Sequence, residues 1–499
     1  MEYHLLTYSL LFLPVVILLY QLTPARFRWL VLLTADYVFF WMVSKWLILY
    51  LFIATFATYG TGRLLAYVSE HASVKGKQLT KKKRYILAGG IAVTLGMLIV
   101  FKYLKVFGLT LIAPIGISYY TLESISYMTD VYRGTITAEK NLAKVALFLS
   151  FFPQIMEGPI SKFSETAEPL YAGKNIEYSN LVSGYQRILW GLFKKMMVAD
   201  RLAPVIFKIF GDYEKYDGSA IAVAVVCYTI QLYTEFSGCM DIILGSGEIF
   251  GVRLPENFRQ PFFAKNASDF WRRWHITLGA WFKAYIFYPV SVSGLVKKWN
   301  QYGRKHCGKH ITRLVTSAIA LFPVWVANGV WHGAQWNYIF YGMYYFVLIM
   351  LGIVVEPVRD CILETCHINP ETRVWRTIQI AKTWVIIVVG ELFFRANGLK
   401  AGWYMFCNMI KRFDAGQLTD GTLYTLGLER ADYLAVIVGC LIVGIVGSMK
   451  EHGISVQKKM GELAVPVRWG LYYALIIGIL IFAAYGDGYQ IQDLIYAGF

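Results

Sequence analysis

Apolar runs of membrane length follow one another along this chain, separated by short basic or polar stretches. About 20 apolar residues cross a bilayer as a helix, and the runs 5–20, 29–43, 46–67 and 85–107 come close to that length. Further runs lie at 181–199, where Arg187, Lys194 and Lys195 read as a helix leaving the membrane on its basic side, and at 220–236, 314–330, 336–355, 374–394, 434–449 and 468–484. The pattern predicts an all-α polytopic membrane protein with about eleven to thirteen spans. The segments 314–330 and 336–355 are close enough to form a hairpin bent at Trp331-His332-Gly333.

Four segments break the pattern. Residues 113–133 carry many hydroxyls with Glu123 and Asp130, too polar for lipid and suited to a cavity-facing helix. Residues 141–152 run into Pro153-Gln-Ile-Met-Glu-Gly-Pro159, which predicts a broken helix at membrane depth or at the surface. Residues 237–251 are glycine-rich beside Glu235, Asp241 and Glu248, which argues against a plain span. Residues 266–288 are aromatic and basic together and read as a re-entrant or interfacial helix. The polar interval 399–433 suits one or two short interfacial helices. No repeat or soluble domain is visible, so residues 1–499 read as one membrane unit with its core at about 110–395.

Composition agrees. Of 499 residues, 57% are hydrophobic and 16% are charged, against about 25% charged in soluble domains. The net charge of +16 does not point to nucleic acid, because it sits in loops. Six Lys or Arg and one acid lie between Ser69 and Arg84, and six with no acid between Lys297 and Arg313. Clusters of this kind mark the cytoplasmic side and attract anionic lipid, which puts the N-terminus outside. The seven cysteines form no Cys-x-x-Cys, and Cys361, Cys366 and His367 lack the spacing of a zinc site. The run 5–20 has neither a basic leader nor a small-residue cleavage site, and reads as a retained helix.

Two histidines carry the candidate chemistry. His332 ends a run whose side-chain polarity is limited to Thr316, Ser317 and Asn328. His275 follows Arg272 and Arg273 between Trp271 and Trp274. A titratable ring inside a membrane segment marks function by default, although a histidine bonded between helices has the same sequence appearance. Burial keeps an imidazole neutral and able to take a proton. Arg272 and Arg273 suit donor phosphates or lipid headgroups, and Asn328 suits orienting the His332 turn or satisfying a helix end. Glu123, Asp130 and Glu157 read as cavity polars without a catalytic part. No Ser-His-Asp set or phosphate loop is present.

The motifs Pro114-Ile-Gly-Ile-Ser-Tyr-Tyr-Thr, Asp130-Val-Tyr-Arg, Phe152-Pro-Gln with Gly158-Pro-Ile, and Asn257-Phe-Arg-Gln-Pro occur in that order. They continue in Asp269-Phe-Trp-Arg-Arg-Trp-His-Ile-Thr-Leu with Trp281-Phe, Gly329-Val-Trp-His-Gly-Ala and Phe393-Phe-Arg-Ala. Together they resemble the membrane-bound O-acyltransferase (MBOAT) family, in its bacterial branch of alginate O-acetylation and teichoic acid D-alanylation proteins, with the alginate type nearer. The resemblance implies a ring of helices around a thin floor pierced by a funnel, with re-entrant helices. It implies His332 as catalytic base and His275 as its helper, by orienting His332 or polarising an acyl carbonyl. Trp271, Arg272, Arg273, Trp274, Asn328, Trp331 and Gly333 are then substrate or channel residues.

The resemblance further implies acetyl transfer from a cytoplasmic thioester, acetyl-CoA or acyl carrier protein, with no bound cofactor. The acceptor is an exported polysaccharide, and an extracytoplasmic SGNH-hydrolase-like partner finishes the transfer at a bacterial cytoplasmic membrane. Two positions depart from the pattern: Lys283-Ala284 follows Trp281-Phe282 where Arg-Asp is common, and the chain ends in Tyr-Ala-Gly-Phe. The alternatives are D-alanyl transfer to teichoic acid, and a transporter or flippase in which the histidines relay protons.

Overall fold

The computed structural model describes residues 7–71, 76–103 and 111–484, and all regular elements among them are helices. Eight helical stretches among these residues are long and apolar enough to cross a bilayer. The protein is a multi-pass membrane protein.

Helix α1 (Tyr8–Leu22) is a shorter apolar helix. It leads to α2 (Arg28–Ser44) and α3 (Ile48–His71). These two belong to one 47-residue apolar stretch, broken at Lys45, whose φ is 46°. Tyr37 stacks on Phe52 with ring centroids 5.0 Å apart, so α3 folds back along α2. Helix α4 (Lys77–Tyr103) follows, and α5 (Ile117–Arg133) starts after Gly116. Gly116 has φ 70°, and a Cβ there would lie 1.8 Å from the Ile155 carbonyl oxygen, so only glycine fits.

Helices α6 (Leu142–Ser150) and α7 (Phe163–Tyr171) flank an irregular, buried stretch at 151–162. Asp36, midway along α2, accepts from the Phe152 N–H at 2.7 Å and the Ser150 hydroxyl at 3.1 Å. The chain returns to the face it left, where Arg28 at the foot of α2 donates to the Gly173 carbonyl and to Asn175. The two prolines therefore mark a re-entrant hairpin, its irregular backbone tolerated because it is buried in protein.

Helix α8 (Tyr178–Leu192) continues through the π-helical stretch Phe193–Ala199 into α9 (Asp200–Gly211), and α10 (Gly218–Ile249) runs 32 residues beside them. This corrects two expectations. Residues 237–251 are not an exception to spanning: all but the last two continue α10. Their glycines meet those of α8, since a Cβ on Gly238 would lie 2.8 Å from the Gly191 carbonyl oxygen and one on Gly245 2.5 Å from that of Gly184. Such small-residue pairs let two membrane helices approach closely. Lys194 and Lys195 are also not at an aqueous helix end. Both are buried, Lys194 against Asp241 at 2.6 Å and Lys195 against Asp200 at 2.6 Å and Glu235 at 3.4 Å. The two lysines of the π-helical stretch are thus neutralised inside the protein by Asp241 and Glu235 of α10 and Asp200 of α9.

The expected helix over 266–288 is instead broken once, at Trp274-His275, into α11 (Ala267–Arg273) and α12 (Ile276–Phe282), which continues through the π-helical stretch Lys283–Phe287 into α13 (Tyr288–Ser291). Basic α14 (Gly294–His306) leads into the hairpin of α15 (Gly308–His332) and α16 (Trp336–Val354). After α17 (Glu356–Thr365) come α18 (Arg373–Arg395), α19 (Leu399–Lys411), α20 (Arg430–Glu451), α21 (Val456–Glu462) and α22 (Val465–Phe482). Arg273, Arg376 and Glu451 meet on one face. Helices α4 and α15 both begin in basic segments, and their far ends meet where Lys102 donates to the Trp331 carbonyl. The aromatic residues at the end of the chain lie outside the described residues.

Candidate active site

Close packing of α15 on α16 presents His332. A Cβ on Gly329 would lie 2.7 Å from the Tyr338 carbonyl oxygen, and one on Gly342 2.4 Å from that of Trp325. Helix α15 ends at His332 because the backbone becomes extended at Gly333. The imidazole is 3% exposed and walled by aromatic rings. Centroid distances are 4.9 Å to Trp331, 5.0 Å to Phe394, 6.1 Å to Tyr341 and 6.3 Å to Tyr338. Gly333 keeps this wall in place, since a Cβ there would come within 2.7 Å of the Tyr338 ring. Asn328 lies one turn before His332 and is buried, with no partner for its Oδ1 among the described residues.

His275 arrives from the second broken segment. It sits in the turn between α11 and α12 with φ 45°, in the left-handed region, and is 2% exposed. Its ring is edge-on to Phe236 at 5.0 Å and to Trp331 at 5.6 Å. The two histidines, distant in sequence, are therefore joined through one indole. Asn257 supports the turn: its Oδ1 lies 3.2 Å from His275 Nδ1 and accepts from Thr277 N–H at 3.1 Å and Thr277 Oγ1 at 3.0 Å. Thr277 Oγ1 in turn accepts from the Ile160 N–H at 3.1 Å. The two broken segments, 151–162 and 267–291, thus meet beneath the histidines. Glu123 fastens the first of them, accepting from Ser161 N–H at 3.0 Å and Gln154 Nε2 at 3.1 Å.

Other predicted residues are distributed around this centre. Trp271 packs on Trp325 at 5.1 Å and Tyr345 at 5.0 Å, and Trp274 packs on Phe258 at 5.0 Å. Arg273 is engaged by Asp269 at 3.1 Å and Glu451 at 2.8 Å, which commits its charge to tying α11 to α20. Arg272 is exposed on the basic face and bonds the Ser268 carbonyl. Asp130 accepts from Tyr285 at 3.0 Å, away from the histidines.

Three neighbours escaped the reading of the sequence. Lys102 donates to the Trp331 carbonyl, lies 3.4 Å from Ser118 Oγ and stands 5.3 Å over the Trp331 ring. Tyr341, beside His332, donates to Glu391 Oε1 at 3.2 Å. Asn257 was visible only as part of a motif. A lysine at the end of an apolar run reads as an interfacial anchor, so only its tertiary contacts distinguish Lys102.

A buried imidazole in an aromatic chamber, linked through Trp331 to a second imidazole and to Lys102, is suited to moving a proton. The family model for membrane-bound O-acyltransferases (MBOAT) matches residues 2–368 of this chain. The chain is 31% identical over 451 residues to the probable alginate O-acetylase AlgI of Pseudomonas aeruginosa, covering 87% of this chain and 78% of that protein. It is 30% identical over 371 residues to the peptidoglycan O-acetyltransferase of Helicobacter pylori, covering 66% and 65% respectively. Over 250 residues it is 30% identical to the teichoic acid D-alanyltransferase of Bacillus subtilis, covering 48% and 58%.

Proposed function

The chain belongs to the membrane-bound O-acyltransferase family and is an acyltransferase, and on that premise we propose that it O-acetylates an exported polysaccharide with His332 as general base. One observation carries the reading: His332 closes α15 inside an aromatic chamber, and Trp331 links it to His275 from a distant segment. The alginate-type relative spans most of this chain, whereas the D-alanyltransferase spans under half. That difference favours acetyl and a polysaccharide over D-alanine and teichoic acid.

The donor is a thioester on the cytoplasmic side, acetyl-CoA or an acetylated carrier protein. His332 takes the proton of the attacking hydroxyl as its oxygen bonds to the acetyl carbon. The carbon–sulfur bond then breaks, and the proton passes to the leaving sulfur to give the free thiol. The hydroxyl belongs either to the polysaccharide or to an extracytoplasmic SGNH-hydrolase-like partner that carries the acetyl onward. Basic segments on one face and His332 at the far ends of α4 and α15 support entry from the cytoplasm and delivery outward across a bacterial cytoplasmic membrane.

Deleting the gene and analysing esters of secreted polysaccharide and cell wall tests this. Loss of acetyl from a polysaccharide that is still exported is the expected result. Loss of D-alanine from teichoic acid would replace the substrate assignment, and loss of the polymer itself would favour a transporter.

A further inference from the structure

Asn257 is fully buried in the segment between α10 and α11, with its side-chain oxygen 3.2 Å from His275 Nδ1. We propose that Asn257 is a positioning residue that holds His275 in the tautomer protonated on Nδ1, leaving the lone pair of the neutral ring on Nε2. Its catalytic consequence rests on the acyltransferase reading above, whereas the tautomer itself does not.

The hydrogen bonds fix the proton on Nδ1 by elimination, and burial of the ring, 2% exposed, disfavours a second proton on Nε2. A backbone N–H only donates, so the Thr277 N–H at 3.1 Å requires the oxygen of the Asn257 amide at that position. The same oxygen lies 3.2 Å from His275 Nδ1. Two acceptors cannot bond, so Nδ1 brings the proton. The Thr277 hydroxyl accepts from the Ile160 N–H at 3.1 Å and donates its proton to the same Asn257 oxygen at 3.0 Å. The amide nitrogen points the other way, 3.3 Å from Met240 Sδ. The Asn257 backbone carbonyl accepts from Ile276 N–H at 3.0 Å, which pins the chain on the other side of the turn. His275 is thereby held with φ 45°, a conformation that histidine adopts sparingly.

This removes one of the two parts open to His275, polarising an acyl carbonyl. A neutral ring with its proton on Nδ1 has no N–H at Nε2 to offer an oxyanion. It accepts a proton or a hydrogen bond there, and acts as a second proton acceptor beside His332. An amide partner, unlike a carboxylate, supplies this orientation without placing a charge under the ring.

The test uses the full-length protein in lipid nanodiscs with ¹⁵N-labelled histidine, the His275 signals being identified by their loss in His275→Asn. The expected spectrum of the wild type shows a protonated Nδ1 and an unprotonated Nε2 at His275. Asn257→Leu is expected to lose that single tautomer and to lower kcat about 10- to 100-fold, with the KM for the thioester donor changed less than about twofold. Asn257→Asp, which keeps the accepting oxygen, is expected to retain more activity than Asn257→Leu. A wild-type spectrum with the proton on Nε2 would overturn the proposal. So would an Asn257→Leu protein whose kcat per folded molecule matches the wild type, the result of a merely structural role. If Asn257→Leu does not fold, the wild-type and Asn257→Asp spectra still decide. Failure of His332 as general base would show as unchanged esters in a His332 variant, independently of the tautomer.

Discussion

The indole of Trp331 stands edge-on to the imidazole of His275, with ring centroids 5.6 Å apart. Because Trp331 precedes His332 in the chain, this contact ties a broken segment on one side of the protein to the end of a membrane helix on the other. Trp331→Ala is expected to lower turnover at least about tenfold by uncoupling the two imidazoles, while Trp331→Phe keeps much of the edge-on contact and the activity. Initial rates of thioester consumption in the presence of acceptor measure both.

Lys102 holds the same turn from outside, through the Trp331 carbonyl and the face of its ring. Lys102→Met removes the donor and the cation from a half-buried position. It is expected to reduce kcat about tenfold with protein abundance in the membrane maintained, and Lys102→Arg restores part of it. Rates normalised to the membrane-extracted protein check this.

The frame around the site depends on the glycine contacts between α8 and α10. Leu at Gly238 must fit where even a Cβ would lie 2.8 Å from the Gly191 carbonyl oxygen. Gly238→Leu is expected to destabilise the fold by about 1–3 kcal/mol or more. It should appear as a lower melting temperature in detergent and reduced yield, whereas Leu at Gly444, with open space around it, should leave both unchanged.

Much of this architecture is legible from the hydrophobic pattern. The hairpin of α15 and α16, with its bend after His332, follows from two apolar runs separated by a glycine, and the re-entrant 151–162 segment from its two prolines. The misread segments share one physical cause. Taken alone, residues 237–249 and Lys194-Lys195 look too polar or too glycine-rich to lie inside. Their burial is made tolerable by partners elsewhere in the chain: glycine facing glycine, and Lys194 facing Asp241. The two histidines were identified in sequence, but the turn that carries His275 and the residues that grip it, Asn257 and Thr277, depend on tertiary hydrogen bonds that no periodicity encodes.

The buried charges make that pairing testable. Asp241→Ala leaves Lys194 buried without its carboxylate and is expected to cost about 3–5 kcal/mol. The double replacement Lys194→Met with Asp241→Leu removes both charges and is expected to recover part of that loss. Comparing thermal unfolding midpoints of the single and double variants in the same detergent measures the recovery.

The central claim concerns His332, and the most direct measurement is the acetyl ester content of the exported polymer in cells carrying His332→Ala. General-base assistance is worth about 10²- to 10⁴-fold, so the account expects ester to fall to background while polymer export and the amount of membrane-inserted protein stay at wild-type levels. Ester content equal to the wild type, with the variant protein present in normal amount, would contradict it.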